Sequence, residues 1–102
     1  MSIDAGLISL KDREIDATIV ERLRESISNF SLIDAHMETG SIGFTATVVD
    51  VNKGSVFNIT ASESRIVVVP KFNYTFESFF SFYREVVESI DEHADFSLLS
   101  SS

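Results

Sequence analysis

The chain contains no cysteine and no tryptophan, one proline, four glycines and two histidines. Without cysteine there is no disulfide framework, no thiol nucleophile and no thiolate zinc site. One proline and four glycines are too few for a low-complexity linker, and the glycines do not have the spacing of a phosphate-cradling loop. No run of apolar residues reaches the roughly 18 needed to cross a bilayer as a helix. The first residues, Met1-Ser-Ile-Asp-Ala-Gly, lack the basic start of a secretory signal, so the expectation is a cytoplasmic protein. Positive charge is also scarce: eight lysines and arginines face sixteen acids, for a formal net charge of −8. That balance disfavours direct binding to nucleic acid or to an anionic membrane and favours basic partners.

What the chain does contain is apolar surface. Its 102 residues are 44% hydrophobic, with a mean hydropathy of +0.16. A chain of that length is one domain, and one able to bury a core without covalent staples.

Periodicity divides residues 1–102 into segments of a single domain. Residues 12–30 carry Ile15, Ile19, Leu23, Ile27 and Phe30 at spacings of three and four, which predicts a helix capped by Asp12 or Asp16. From Ser31 the period becomes two. Ile33, Ala35 and Met37 alternate with Asp34, His36 and Glu38; Phe44, Ala46 and Val48 alternate with Thr45, Thr47 and Val49; Phe57, Ile59 and Ala61 alternate with Asn58 and Thr60. Asn52-Lys53-Gly54 is a hairpin turn. The β-branched run Arg65–Val69 reads as a strand that is central or covered on both faces, and Pro70 is expected to stop it.

Thr75 should cap a second helix, whose apolar face is expected to hold Phe76, Phe79, Phe80, Tyr83, Val87, Ile90 and Ala94. Residues 1–11 read as a lead-in with a possible short strand, and 97–102 as a frayed tail. The expected fold class is α+β: order α-β-β-β-β-α, a four-stranded antiparallel meander packed with two helices.

Few residues carry chemistry. Asp34, His36 and Glu38 alternate on a strand and so share one face, a donor set that suits a divalent metal or a base with its orienting partner. Solvated strand faces carry the same alternation, however, and side chains two apart on one strand diverge. His93, among Asp91, Glu92 and Asp95, suits a pH-sensitive helix end, but an exposed histidine beside acids needs no such role. No nucleophile has a paired base within sequence reach. The expectation is a protein that is not an enzyme and has neither cofactor nor metal.

Charge pattern is the stronger clue. Glu77, Glu85, Glu88, Asp91, Glu92 and Asp95 form a candidate acidic helix face, and no lysine or arginine follows Arg84. Acids near a helix C-terminus oppose the macrodipole at a cost of roughly 0.3–1 kcal/mol each. Stability alone favours lysines there; an ordinary solvated helix face accounts for the acids, and the alternative is a surface kept for a basic partner. Phe72, Tyr74 and Phe82 are left without a place on the apolar helix face and are candidate aromatic contacts.

In length, acidity and lack of cysteine the chain resembles bacterial toxin-immunity proteins and phage anti-defence proteins. The likeness is one of size and charge and implies an inhibitor that neutralises a basic nuclease or nucleoprotein. In size, charge and helix–sheet–helix order it is also similar to small acidic secretion chaperones, which implies the alternative of a dimeric module gripping an apolar segment. A metal-binding domain built on Asp34, His36 and Glu38 is the third reading. Monomer and homodimer both remain open at this level.

Overall fold

The computed structural model describes residues 2–28, 30–38, 43–90 and 94–101, with Ser2, residues 31–38 and Ser101 described by their backbone alone. The elements run β1 (Ser2–Leu10), α1 (Ala17–Ser26), β2 (Ser31–Glu38), β3 (Gly43–Asp50), β4 (Ser55–Ser62), β5 (Arg65–Phe72), α2 (Phe76–Ser89) and β6 (Ala94–Ser101). The strands form one six-stranded sheet in the order β2-β3-β4-β5-β1-β6, each pair of neighbours antiparallel. The α+β class and the β2–β5 meander agree with the sequence pattern. The expected strand count and the α-first order do not.

Two further strands lie in the terminal segments: the possible short strand within residues 1–11 is the full strand β1, and the expected tail is β6. β1 lies between β5 and β6, pairing Gly6 with Val68 and Ile8 with Phe96. The supposed frayed tail is therefore the edge strand of the sheet. Neither segment alternates cleanly. In β1 a register shift between Ile3 and Ala5 leaves an extra residue, so the period-two signal changes phase within the strand.

Both helices cover the same face of the sheet. On β3, β4 and β5 the buried side chains are Phe44, Ala46, Val48, Phe57, Ile59, Ala61, Ile66 and Val68, and they form one cluster with the apolar residues of α1 and α2. From α1 and its C-cap come Ile19, Val20, Leu23 and Ile27, each at most 1% exposed. Burying such side chains contributes roughly 1.5–3 kcal/mol apiece before ordering entropy is charged. The opposite face is uncovered by any described element: Leu7, Val49, Val56, Val67 and Val69 are half-buried there. The run at 65–69 is thus central in the sheet, and the described elements cover only one of its faces.

Local chemistry starts and stops the elements. Asp16, not Asp12, caps α1, its Oδ1 accepting the Ile19 N–H at 3.0 Å. That bond, reinforced by the Arg13 guanidinium, holds the Asp16 carboxyl below its ordinary value of 3.8. Between β3 and β4, Asp50 accepts the N–H groups of Asn52 and Lys53 at 3.1 and 3.3 Å, and Gly54 supplies a positive φ of 73°. Pro70 does not end its strand. β5 continues to Phe72 because the register with β4 shifts at this point, pairing Phe57 with Pro70 and Val56 with Phe72, while the β1 pairing has already ended at Val68. A proline at such an irregularity forfeits no ladder bond with β1.

Gly6 is where α2 comes down on the sheet. A Cβ at this position falls 2.6 Å from Tyr83 Cε1 and 3.2 Å from Phe79 Cζ. Gly6→Ala is therefore expected to cost about 1–3 kcal/mol by overpacking, measured by urea denaturation; a cost near zero refutes the close approach.

Acid sensitivity supplies a second check. Because folding lowers the Asp16 pKa, its contribution is complete above the unfolded value and is lost as pH falls through the folded one. Asp16→Asn keeps a capping oxygen and removes the titration. The variant should lose thermal midpoint less steeply than the wild type between pH 5 and pH 2, and coincident curves exclude Asp16 as a source of acid lability.

Candidate protein-binding surface

The α2 helix begins at a capping box. Thr75 Oγ1 accepts the Ser78 N–H at 3.0 Å, and Ser78 Oγ accepts the Thr75 N–H at 2.8 Å. Its roll about its own axis follows from what it packs on. Phe82 is fully buried, stacked on Phe57 with centroids 4.7 Å apart and 6° between planes, and edge-on to Phe30 at 5.2 Å. Phe79 and Tyr83 stack at 5.8 Å over Gly6. The Tyr83 hydroxyl donates to the Leu7 carbonyl at 2.8 Å, and burial pushes its phenol pKa up.

This roll reverses part of the aromatic assignment. Phe82 belongs to the core and is no surface contact. Tyr74 is half-buried against the core, its hydroxyl 3.5 Å from the Ile3 carbonyl. Phe72 alone of the three stands out, 68% exposed. Conversely Phe76 and Phe80, expected inside, are each 44% exposed, with their rings 6.2 Å apart. The inward stripe is Phe79, Phe82, Tyr83, Val86 and Ile90. It is displaced around the helix from the expected one, leaving Phe76, Phe80 and Val87 as an apolar shoulder toward β6.

The acidic assignment is also redrawn. α2 ends at Ser89 with Ile90 as its C-cap, so the expected helix is too long. Asp95 sits on β6, 3.2 Å from Lys11 Nζ, in an exposed ion pair worth little. Asp91, Glu92 and His93 lie outside the described residues. Glu77, Glu85 and Glu88 remain on α2, all exposed, and among the described residues none of them joins an ion pair.

Tertiary structure adds one acid that the sequence pattern did not single out. Glu25 of α1 meets Glu85 and Glu88 across an open groove of about 300 Å³ between the helices, lined also by Arg22, Ser26 and Ser89. A second depression of about 380 Å³ is lined by Glu77, Phe80, Ser81, Arg84 and Glu85. Glu85 belongs to both. In sequence, Glu25 is an ordinary residue on the solvated side of α1; only the side-by-side packing of the helices recruits it.

The alternative site is not brought together by anything described. The side chains of Asp34, His36 and Glu38 lie outside the described residues; their backbones pair with Thr47, Thr45 and Gly43. No cluster of three metal-ligating side chains occurs among the described residues, and no described helix is long and apolar enough to cross a membrane. The chain matches no protein-family model and no curated protein.

The acids of α2 carry a stability cost that a charge reversal exposes. Glu85 and Glu88 are like charges at i,i+3, and the last turn has no basic residue. Glu85→Lys converts that repulsion to attraction and should raise stability by roughly 0.5 kcal/mol, read from the urea midpoint. A destabilised variant removes the argument that these acids are placed against stability.

Proposed function

We propose that this protein is a non-enzymatic acidic binding protein that presents the α1–α2 face to a basic partner and blocks the surface with which that partner binds phosphates. The observation that carries the reading is the convergence of Glu25, Glu85 and Glu88 on one groove. A lysine or arginine side chain entering it finds three carboxylate side chains against one resident cation, Arg22, among the lining residues. The adjoining depression offers Glu77 beside the Phe80 ring, so a guanidinium finds both a carboxylate and an aromatic surface.

Electrostatics of this kind acts first on association rate and partner choice. A net charge of −8 attracts basic surfaces from a distance and repels nucleic acid. The acids on α2 are tolerated at some cost to the helix, which is understandable where binding, and not stability, sets the sequence. A toxin nuclease or a nucleic-acid-binding complex is the partner class whose binding cleft has the complementary charge.

A salt-graded capture experiment tests this. Immobilised protein is exposed to lysate at about 50 mM salt and eluted by a gradient, alongside the triple variant Glu25→Lys, Glu85→Lys, Glu88→Lys. A basic protein should bind the wild type, elute as salt approaches physiological strength and shortens the Debye length to about 8 Å, and fail to bind the variant. Recovery of no basic protein, or equal capture by both, defeats the proposal.

A further inference from the structure

The β6 edge of the sheet is built without the usual protection. Strand β6 reads ADFSLLSS: it contains no lysine and no proline, and it is uncharged beyond Asp95. Its one neighbour in the sheet is β1, so the backbone groups of its other edge have no strand partner among the described residues. The irregularity in its pairing lies on β1, between Ile3 and Ala5, and leaves β6 itself regular. Edge strands of this length ordinarily carry a charge, a proline or a bulge that prevents pairing with another chain.

The side chains beside that edge are apolar and unburied. Phe96 and Leu98 pair with Ile8 and Gly6 and therefore share the helix-covered face, yet they are 48% and 42% exposed. Next to them stands the α2 shoulder: an open groove of about 280 Å³ is lined by Phe80, Tyr83, Val87 and Phe96, and its single charged member is the cation Arg84. Among the described residues no acid lines it.

We propose that the β6 edge is the interface of a two-fold dimer, in which β6 pairs antiparallel with β6 of a second copy and the sheet runs continuously through both. Strand geometry then restricts the register. Residues directly opposite in an antiparallel pair share a face, so helices of both copies lie on the same side only if a residue, not a peptide bond between residues, sits on the axis. Centring on Ser97 places Phe96 opposite Leu98 of the second copy, and Leu98 opposite its Phe96. The four side chains then meet beneath the two α2 shoulders.

The available area suits this occupant. The exposed parts of Phe76, Phe80, Phe96 and Leu98 amount to roughly 350 Å² of apolar side chain per copy, given typical aromatic areas. Two copies with their paired backbones pass the roughly 1,000 Å² that a specific interface needs. Electrostatic repulsion between two chains of charge −8 is reduced at this edge because residues 96–101 are uncharged and no described acid lines the shoulder groove. This inference uses none of the groove formed by Glu25, Glu85 and Glu88, and its failure leaves the reading built on that groove standing.

Light scattering on the size-separated full chain should give about twice the monomer mass of 11.3 kDa. Leu98→Lys, counted twice across the axis, should weaken the dimer about 100-fold or more while the circular dichroism spectrum is retained. Phe72→Lys, on the uncovered face of the sheet, should leave the dimer intact. In this cysteine-free chain Ser97→Cys places two thiols opposite each other within disulfide range, so mild oxidation should yield a covalent dimer even if Leu98→Lys fails to fold. A chain that is monomeric at all concentrations overturns the proposal, as does a monomer that binds an extended apolar peptide along β6. A dimer dissolved by Phe72→Lys and not by Leu98→Lys, or one in which Ser97→Cys does not cross-link, overturns it equally.

Discussion

The stacking of Phe82 on Phe57, with Tyr83 and Phe79 pressed onto Gly6, sets the roll of α2, and most of what the protein shows to solvent depends on that roll. A helix this rich in phenylalanine offers more than one apolar stripe. The sheet chooses between them, because Phe57 presents a flat ring near the middle of the strand array and Gly6 opens room for a second aromatic beside it. Once Phe79, Phe82, Tyr83, Val86 and Ile90 point inward, the remaining positions have no freedom. Phe76, Phe80 and Val87 fall on the β6 side, Glu77, Arg84 and Glu88 on the crest, and Glu85 and Ser89 on the α1 side.

Two surfaces of opposite character therefore flank one helix. The α1 side concentrates carboxylates from two elements, where mutual repulsion is lowered only by solvent and by nearby arginines. The β6 side is apolar and carries one cation. An apolar contact made at the sheet edge leaves the groove of Glu25, Glu85 and Glu88 open, whereas Phe80 and Arg84 line both the shoulder groove and the Glu77 depression. A two-fold pairing through β6 would duplicate the acidic groove and offer a partner with two basic patches two sites, at an effective concentration set by the sheet.

Much of the fold was legible in the sequence. The strands β2–β5, the Asn52-Lys53-Gly54 turn, the inward residues of α1 and the Thr75 cap all follow from local period and turn chemistry, which act within a few residues. β6 did not, and β1 was legible only as a possible short strand. β1 loses its alternation at the shift between Ile3 and Ala5, and β6 looks like a serine-rich tail because half of an edge strand faces solvent. Pro70 was misleading for a related reason: its lack of a donor matters only where a neighbour needs one.

For the candidate site the division is sharper. Net charge, the excess of acids after Arg84 and the density of aromatics are properties of composition, and the sequence alone determines them together with the α+β class. Which acids stand together was decided only by the tertiary structure. Glu25 joins Glu85 and Glu88 through the packing of α1 beside α2, and Asp95 leaves the set because the helix ends at Ser89. Likewise only packing decided that Phe82 is core and Phe80 surface. Periodicity locates a stripe on a helix to within about one residue, a rotation of 100° at 3.6 residues per turn, whereas exposure depends on which of the adjacent stripes finds a complementary ring on the sheet.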